Sequence, residues 1–147
     1  MRNSIFKLKE KVKNNMAEIS KQFKIVLIIN AIGAFIYAFQ FLVITDIYIQ
    51  LVDEPWPNPH LLRLWGATIL ILGIFALIAV KRAEWEKIKI MIELAIVWLL
   101  AVAIINLASF AYVPRSATNI PNAVLDVIVP LVLFIIDVYF YRQAEKG

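Results

Sequence analysis

The chain has 147 residues and a net charge of +4, with 62% hydrophobic and only 18% charged residues. A typical soluble domain is about 45–50% apolar and about 25% charged, because a small domain has much surface to cover with polar side chains. This composition excludes an ordinary soluble domain of this length and predicts an all-α integral membrane protein. The absence of cysteine and the single histidine exclude disulfides, iron–sulfur clusters and thiolate metal sites. We predict no metal and no cofactor.

The first segment of the chain, residues 1–24, is basic and amphipathic. It carries seven lysine or arginine residues, and its apolar residues recur at intervals of three or four, which is typical of a helix with one apolar face. We predict a cytoplasmic helix that lies on anionic headgroups of the inner leaflet. The alternative is a cytosolic helix that docks on a partner or on the chain's own second loop. The apolar face would consist of Ile5, Leu8, Val12, Met16, Ile19 and Phe23.

The remaining residues, 25–147, are predicted to form a transmembrane domain. A helix needs about 20 apolar residues to cross the hydrocarbon core of a bilayer. Four stretches meet this requirement and predict a four-helix bundle: residues 25–49, 61–80, 90–113 and 121–141.

The fourth of these spans is the least favourable to insert. Asp126, Pro130 and Asp137 interrupt its apolar run. Each acid would cost about 2.5–3.5 kcal/mol at the bilayer centre and less away from it. The fourth helix is therefore predicted to depend on contacts with the other three.

Basic residues set the predicted orientation. Thirteen of the fifteen lysine and arginine residues lie in the N-terminal segment, the second loop and the C-terminal tail, and the other two are Arg63 and Arg115. By the positive-inside rule, both termini and the second loop face the cytoplasm of a cell membrane. The same distribution points to the membrane surface and away from nucleic acid as the partner of the positive charge.

Three polar residues are predicted to form an inner layer within the membrane. At 1.5 Å per residue, Asn30, Glu93 and Asp137 lie about 9–12 Å from the midplane on the cytoplasmic side of three different helices. Two acids in one apolar layer do not both ionise cheaply. The functional interpretation is a proton or cation site, or a polar anchor for a lipid headgroup. The alternative is that each carboxylate reaches the interface and pairs with basic residues there.

A second polar layer is predicted on the outer side. Asn106 and Asp126 lie about 7–8 Å from the midplane, and Arg63 and Arg115 reach toward them from the boundary. An ion pair of either arginine with Asp126 would make the fourth span easier to insert. Pro130 has no N–H, and so it leaves the Asp126 carbonyl without its helical donor.

Small residues predict close helix contacts. Gly66 and Gly73 share one face of the second span, and Ala31, Ala34 and Ala38 follow one another along the first. Such small residues allow helix backbones to approach each other within membranes.

The start of the second span, Arg63-Leu64-Trp65-Gly66 followed by Leu72-Gly73, resembles small prokaryotic membrane proteins of the DoxX-like group. In that group an arginine opens the second helix and glycines recur along it. The resemblance implies a compact four-helix bundle from a prokaryote. It implies little about activity, because the group has no defined common function and only some members are tied to quinone-linked redox systems.

Three functions are compatible with these features. The first is a structural or accessory membrane protein within a homo-oligomer or a larger complex. The second is an oligomeric transporter or channel for a proton or small solute that uses the intramembrane acids. The third is a binder of a lipophilic molecule, such as a quinone or lipid, near Tyr37, Gln40 and Trp98. The sequence has no nucleophile–base pair or phosphate-binding loop, which argues against an enzyme.

Overall fold

A computed structural model describes residues 18–146 of the chain. Within this range the protein has five helices and no strand, which confirms the all-α prediction. The first 17 residues of the predicted surface helix lie outside the described residues. The helices are α1 (Lys21–Leu42), α2 (Thr45–Val52), α3 (Pro59–Arg82), α4 (Trp85–Ser109) and α5 (Asn119–Lys146).

Four of the helices described between residues 18 and 146 are long and apolar enough to cross a membrane, namely α1, α3, α4 and α5. They contain 22, 24, 25 and 28 residues, which corresponds to about 33–42 Å at 1.5 Å per residue. The hydrocarbon core of a bilayer is about 30 Å thick. Large apolar side chains such as Ile36, Leu94 and Ile135 are exposed on the outward faces of these helices, as expected where lipid is the solvent. The predicted integral membrane four-helix bundle is thus confirmed.

The first predicted span, residues 25–49, is not one continuous helix. α1 begins at Lys21, where the Ser20 hydroxyl accepts a hydrogen bond from the Phe23 backbone N–H (3.1 Å), and it ends at Leu42. The chain turns at residues 43–44 before α2 begins. Residues 43–45 are all β-branched, which lowers helix propensity, and the Thr45 hydroxyl donates to the Phe41 carbonyl at 2.6 Å. Because the residues on both sides of the break are apolar, hydrophobicity does not predict it.

The long helices are arranged in two closely packed pairs, α1 with α3 and α4 with α5, while α3–α4 and α1–α5 contacts are sparser. The first pair meets at its glycines. A Cβ atom added to Gly66 would lie 2.9 Å from the Phe41 Cβ, and one added to Gly73 would lie 3.0 Å from the Ala34 Cβ. Ala31 is fully buried. These contacts confirm the close approach that the small residues predict.

We call the end of the bundle where α1 begins the inner end, and the opposite end the outer end. At the inner end, the Ile19 backbone N–H donates to the Ala83 carbonyl at 2.9 Å, so the segment before α1 lies against the α3–α4 connection. Ile19 and Phe23 are buried in one apolar cluster with Trp85 and Ile88. These two residues of the predicted amphipathic face therefore pack against the chain's own second loop.

Candidate functional site

Polar side chains line one side of α5 along most of its length. They recur mainly at four-residue intervals, so each lies within about 40° of the next around the helix axis, and the row turns by about 140° from its first member to its last. We call this surface the polar face of α5, and it consists of Asn122, Asp126, Asp137, Tyr141 and Glu145.

The deepest member of the polar face toward the inner end is Asp137. Its side chain is buried, with 1% of the residue exposed. The Asn30 amide nitrogen on α1 donates to both carboxyl oxygens, at 2.9 and 3.0 Å. The Asn30 amide oxygen is buried and has no hydrogen-bond partner in the described part of the chain. The structure thus brings together two of the three residues predicted for the inner layer.

Glu93, the third predicted residue, meets a different partner. The Tyr141 hydroxyl, one turn beyond Asp137, donates to the Glu93 carboxylate at 2.6 Å. One further turn along, Glu145 forms an ion pair with Lys89 of α4. Tyr141 is a residue of this site that the sequence did not predict. Its four-residue spacing from Asp137 is the signal that places it on the polar face.

In the outer layer, Asn106 and Asp126 are brought together as predicted, but through the backbone of Asp126. The Asn106 amide nitrogen donates to the Asp126 carbonyl at 2.8 Å. This is the carbonyl that lacks a helical donor because Pro130 has no N–H. The Asp126 carboxylate accepts a hydrogen bond from Asn122 at 3.1 Å, and the same Asn122 amide lies 2.8 Å from the Tyr48 hydroxyl of α2.

The predicted ion pair of Asp126 with an arginine is wrong for the residues that the structure describes. Arg63 pairs instead with Asp46, at 3.4 Å on the exposed outer surface. Arg115 precedes α5, and Asp126 lies seven residues inside that helix, about 10 Å along its axis. Both arginines have nearer partners at the boundary.

Arg115 joins the elements of the outer end. Its guanidinium donates to the Asn119 side-chain oxygen at 2.7 Å and to the Ser109 hydroxyl at 2.6 Å. The Asn119 amide nitrogen in turn donates to the Val52 carbonyl at 3.1 Å. Asn119 and Ser109 are buried polar residues that sequence reasoning missed. Their position at helix ends, where hydrophobicity is no guide, gave little signal.

Of the residues predicted to hold a lipophilic molecule, Tyr37 and Gln40 lie in the last two turns of α1 and Trp98 lies near the middle of α4. Trp98 packs against Trp65 with a ring separation of 6.3 Å, and Tyr37 packs against Phe41 at 5.9 Å. Gln40 is half-buried. A groove of about 440 Å³ lies elsewhere, near the inner end of α5, and is lined by Ile135, Val138, Tyr139, Arg142, Gln143 and Lys146.

No protein-family model matches the chain, and no curated protein or solved structure is significantly similar to it. Among residues 18–146, no three histidine, aspartate or glutamate side chains cluster closely enough to hold a metal ion.

Proposed function

We propose that the protein is a structural or accessory protein of the cell membrane, with both termini in the cytoplasm. We further propose that the polar face of α5 holds this helix in the bundle. The supporting observation is that α5 makes polar contacts with other helices of the same chain in both its outer and its inner half. Asn122 contacts α2, the Asp126 carbonyl contacts α4 and Asp137 contacts α1. Tyr141 and Glu145 both contact α4.

The magnitude of these contacts agrees with a structural role. Interhelical hydrogen bonds in membranes contribute about 0.6 kcal/mol on average and at most about 1.7 kcal/mol. Five such contacts contribute about 3 kcal/mol, which is similar to the cost of inserting one central acid, about 2.5–3.5 kcal/mol. The polar face thus offsets about the cost of one of the two acids, Asp126 and Asp137, and both cost less than this value because they lie away from the bilayer centre.

The outward apolar faces provide the surface for lipid and for other membrane chains. Side chains such as Val97, Leu107 and Ile135 are more than half exposed, and they suit a homo-oligomer or a larger complex as well as they suit lipid. Anionic headgroups at the basic N-terminal segment are a further proposed partner. Membership of the DoxX-like group, to which the start of α3 is similar, is part of the same proposal because it implies a compact bundle.

The test is native mass spectrometry of the protein extracted gently from its own membrane into lipid nanodiscs. We expect an assembly of fixed stoichiometry, either of this chain with itself or with a second membrane protein. A lone monomer would contradict the proposal. A retained quinone or lipid would favour the lipophile-binding function instead.

A second measurement separates accessory function from transport. In proteoliposomes with an imposed proton gradient, the wild-type protein is expected to give no flux above that of empty vesicles. Glu93→Gln is the informative variant, since glutamine keeps an oxygen that accepts from Tyr141 but carries no charge. Flux in the wild type that is lost in a folded Glu93→Gln protein would assign a transporter.

A further inference from the structure

The contact between Asn30 and Asp137 leaves an acceptor unused. The Asn30 amide nitrogen donates to both oxygens of Asp137, and the Asn30 amide oxygen lies buried without a partner among residues 18–146. A buried acceptor without a donor is unfavourable, and nearly all such groups in native proteins are paired. The site thus has three buried oxygens, and only the hydrogens of a single amide group are available to them.

A cation does not meet this need within the described range. No lysine, arginine or histidine in residues 18–146 forms an ion pair with Asp137. Of the lysines on the elements packed against it, Lys24 of α1 pairs with Glu18 and Lys89 of α4 pairs with Glu145. An ionised Asp137 would thus be a buried charge with one neutral partner, which is a costly arrangement in an apolar environment.

The other titratable groups near Asp137 do not favour its negative charge. Glu93 is the acid that α4 presents next to this part of α5, and it accepts a hydrogen bond from Tyr141. Tyr141 follows Asp137 by one helical turn, so Tyr141 and its partner Glu93 both lie between Asp137 and the inner end. Glu93 cannot neutralise the Asp137 carboxylate because it is itself an acid. Tyr141 cannot stabilise it because its hydroxyl already donates to Glu93.

We propose that Asp137 is a proton-binding site, in which a neutral carboxylic acid forms a cyclic pair of hydrogen bonds with the side-chain amide of Asn30. On protonation, an O–H bond forms on one Asp137 oxygen, with the proton taken from water at the inner end. That O–H donates to the Asn30 amide oxygen, while the other Asp137 oxygen keeps its bond from the amide nitrogen. On release, the proton returns to water and the amide nitrogen again serves both oxygens.

A single proton thus resolves both difficulties of the site. It supplies the one donor that the Asn30 amide oxygen lacks, and it removes the buried negative charge. A calcium or magnesium ion would need several more oxygen ligands than these three. This inference is independent of the accessory role proposed above, because a proton-binding acid serves a structural subunit and a transporter equally well.

The chain is well suited to a direct test because it contains only four aspartates, Asp46, Asp53, Asp126 and Asp137. We would label the aspartate carboxyl carbons with ¹³C and record solid-state NMR spectra of the full protein in lipid bilayers at neutral pH. The Asp137 signal is expected upfield of the carboxylate signals of exposed Asp46 and Asp53, as in a neutral acid. An Asp137 signal at the carboxylate position would overturn the proposal.

Variants assign the signal and test the partner. Asp137→Asn should abolish the upfield signal, whereas Asp46→Asn, on the exposed outer surface, should leave it in place. In Asn30→Leu the acid loses its amide partner, and its infrared C=O stretch should move to higher frequency. An unchanged stretch in folded Asn30→Leu would show that the proposed pair does not form.

A further measurement covers the case in which Asp137→Asn fails to fold. With ¹⁵N-labelled asparagine side chains added, two aspartate carboxyl carbons lie next to an asparagine amide nitrogen, that of Asp137 beside Asn30 and that of Asp126 beside Asn122. Asn122→Leu removes the second contact, so the short carbon–nitrogen distance that remains identifies the Asp137 signal. The upfield position must then belong to the carbon that lies next to Asn30. If that carbon has the carboxylate shift, the proposal fails without reference to any Asp137 variant.

Discussion

The side-chain amide of Asn106 occupies the place of a missing backbone donor by binding the Asp126 carbonyl at 2.8 Å. Within a helix that carbonyl would accept from the N–H of residue 130, but Pro130 has none. In hydrocarbon there is no water to replace the lost donor. The polar residue on α4 thus allows a proline in the middle of α5.

Asn106→Leu is therefore expected to destabilise the protein by about 1 kcal/mol, within the range measured for interhelical hydrogen bonds in membranes. In a Pro130→Ala background the restored N–H can donate to the Asp126 carbonyl, so the same change should cost less. A double-mutant cycle on unfolding in mixed detergent measures the difference. Equal costs in both backgrounds would show that the two residues are not coupled.

The spans and their number could be predicted because hydrophobicity and length report directly on lipid contact. The break after Leu42 could not, since the residues on both sides of it are apolar. β-branching does not set the break apart, because Val127, Ile128 and Val129 continue without interruption in α5. The bond from the Thr45 hydroxyl to the Phe41 carbonyl does not either, because the Thr68 hydroxyl makes the same bond within the unbroken α3.

The candidate site was predictable in depth but not in pairing. Residue number along a helix gives depth, and it placed Asn30 with Asp137 and Asn106 with Asp126. Pairing also depends on the rotation of each helix about its axis, and that rotation directs Glu93 to Tyr141. The arginine prediction was wrong because a boundary side chain binds the nearest acceptor, as Arg63 does with Asp46.

Gly66 is expected to tolerate no side chain. A Cβ there would lie 2.9 Å from both the Phe41 Cβ and the Leu42 Cγ, so Gly66→Ala must push α1 and α3 apart. Overpacking of this kind costs about 1–3 kcal/mol. Gly33→Ala is the matched control on α1, since a Cβ at Gly33 meets nothing within 4 Å. Thermal unfolding should rank Gly66→Ala well below Gly33→Ala, and equal stabilities would refute the close approach.

Ala83, between α3 and α4, is expected to be stabilised by replacement with glycine. Its φ of 58° is left-handed, which costs a residue with a Cβ about 1–2 kcal/mol. Glycine avoids this cost but loses about 0.5–1 kcal/mol through its greater freedom when unfolded. The net gain for Ala83→Gly is about 0.5–1 kcal/mol, measurable by detergent unfolding. Ala83→Val, which adds β-branching at the same φ, should destabilise; a stable Ala83→Val protein would contradict the left-handed conformation.

Glu54, in the α2–α3 connection at the outer end, gives the protein an expected pH dependence. Burial raises the pKa of its carboxyl above the ordinary value of 4.5, against smaller opposing effects of the Trp56 backbone N–H and the Arg115 charge. The folded state therefore binds this proton more tightly than the unfolded state does. The resulting stabilisation is fully present below about pH 4.5 and is lost as the pH rises through the pKa of the folded state.

Glu54→Gln should remove this loss, because glutamine remains neutral at every pH. The free energy of unfolding of Glu54→Gln, measured from acid to neutral pH, is expected to fall less with rising pH than that of the wild type. Glu54→Asp is the matched control, since it keeps an ionisable carboxyl in the same connection and should retain the fall. If Glu54→Gln and the wild type show the same slope, ionisation of Glu54 is not linked to folding, and its burial at the outer end carries no electrostatic cost.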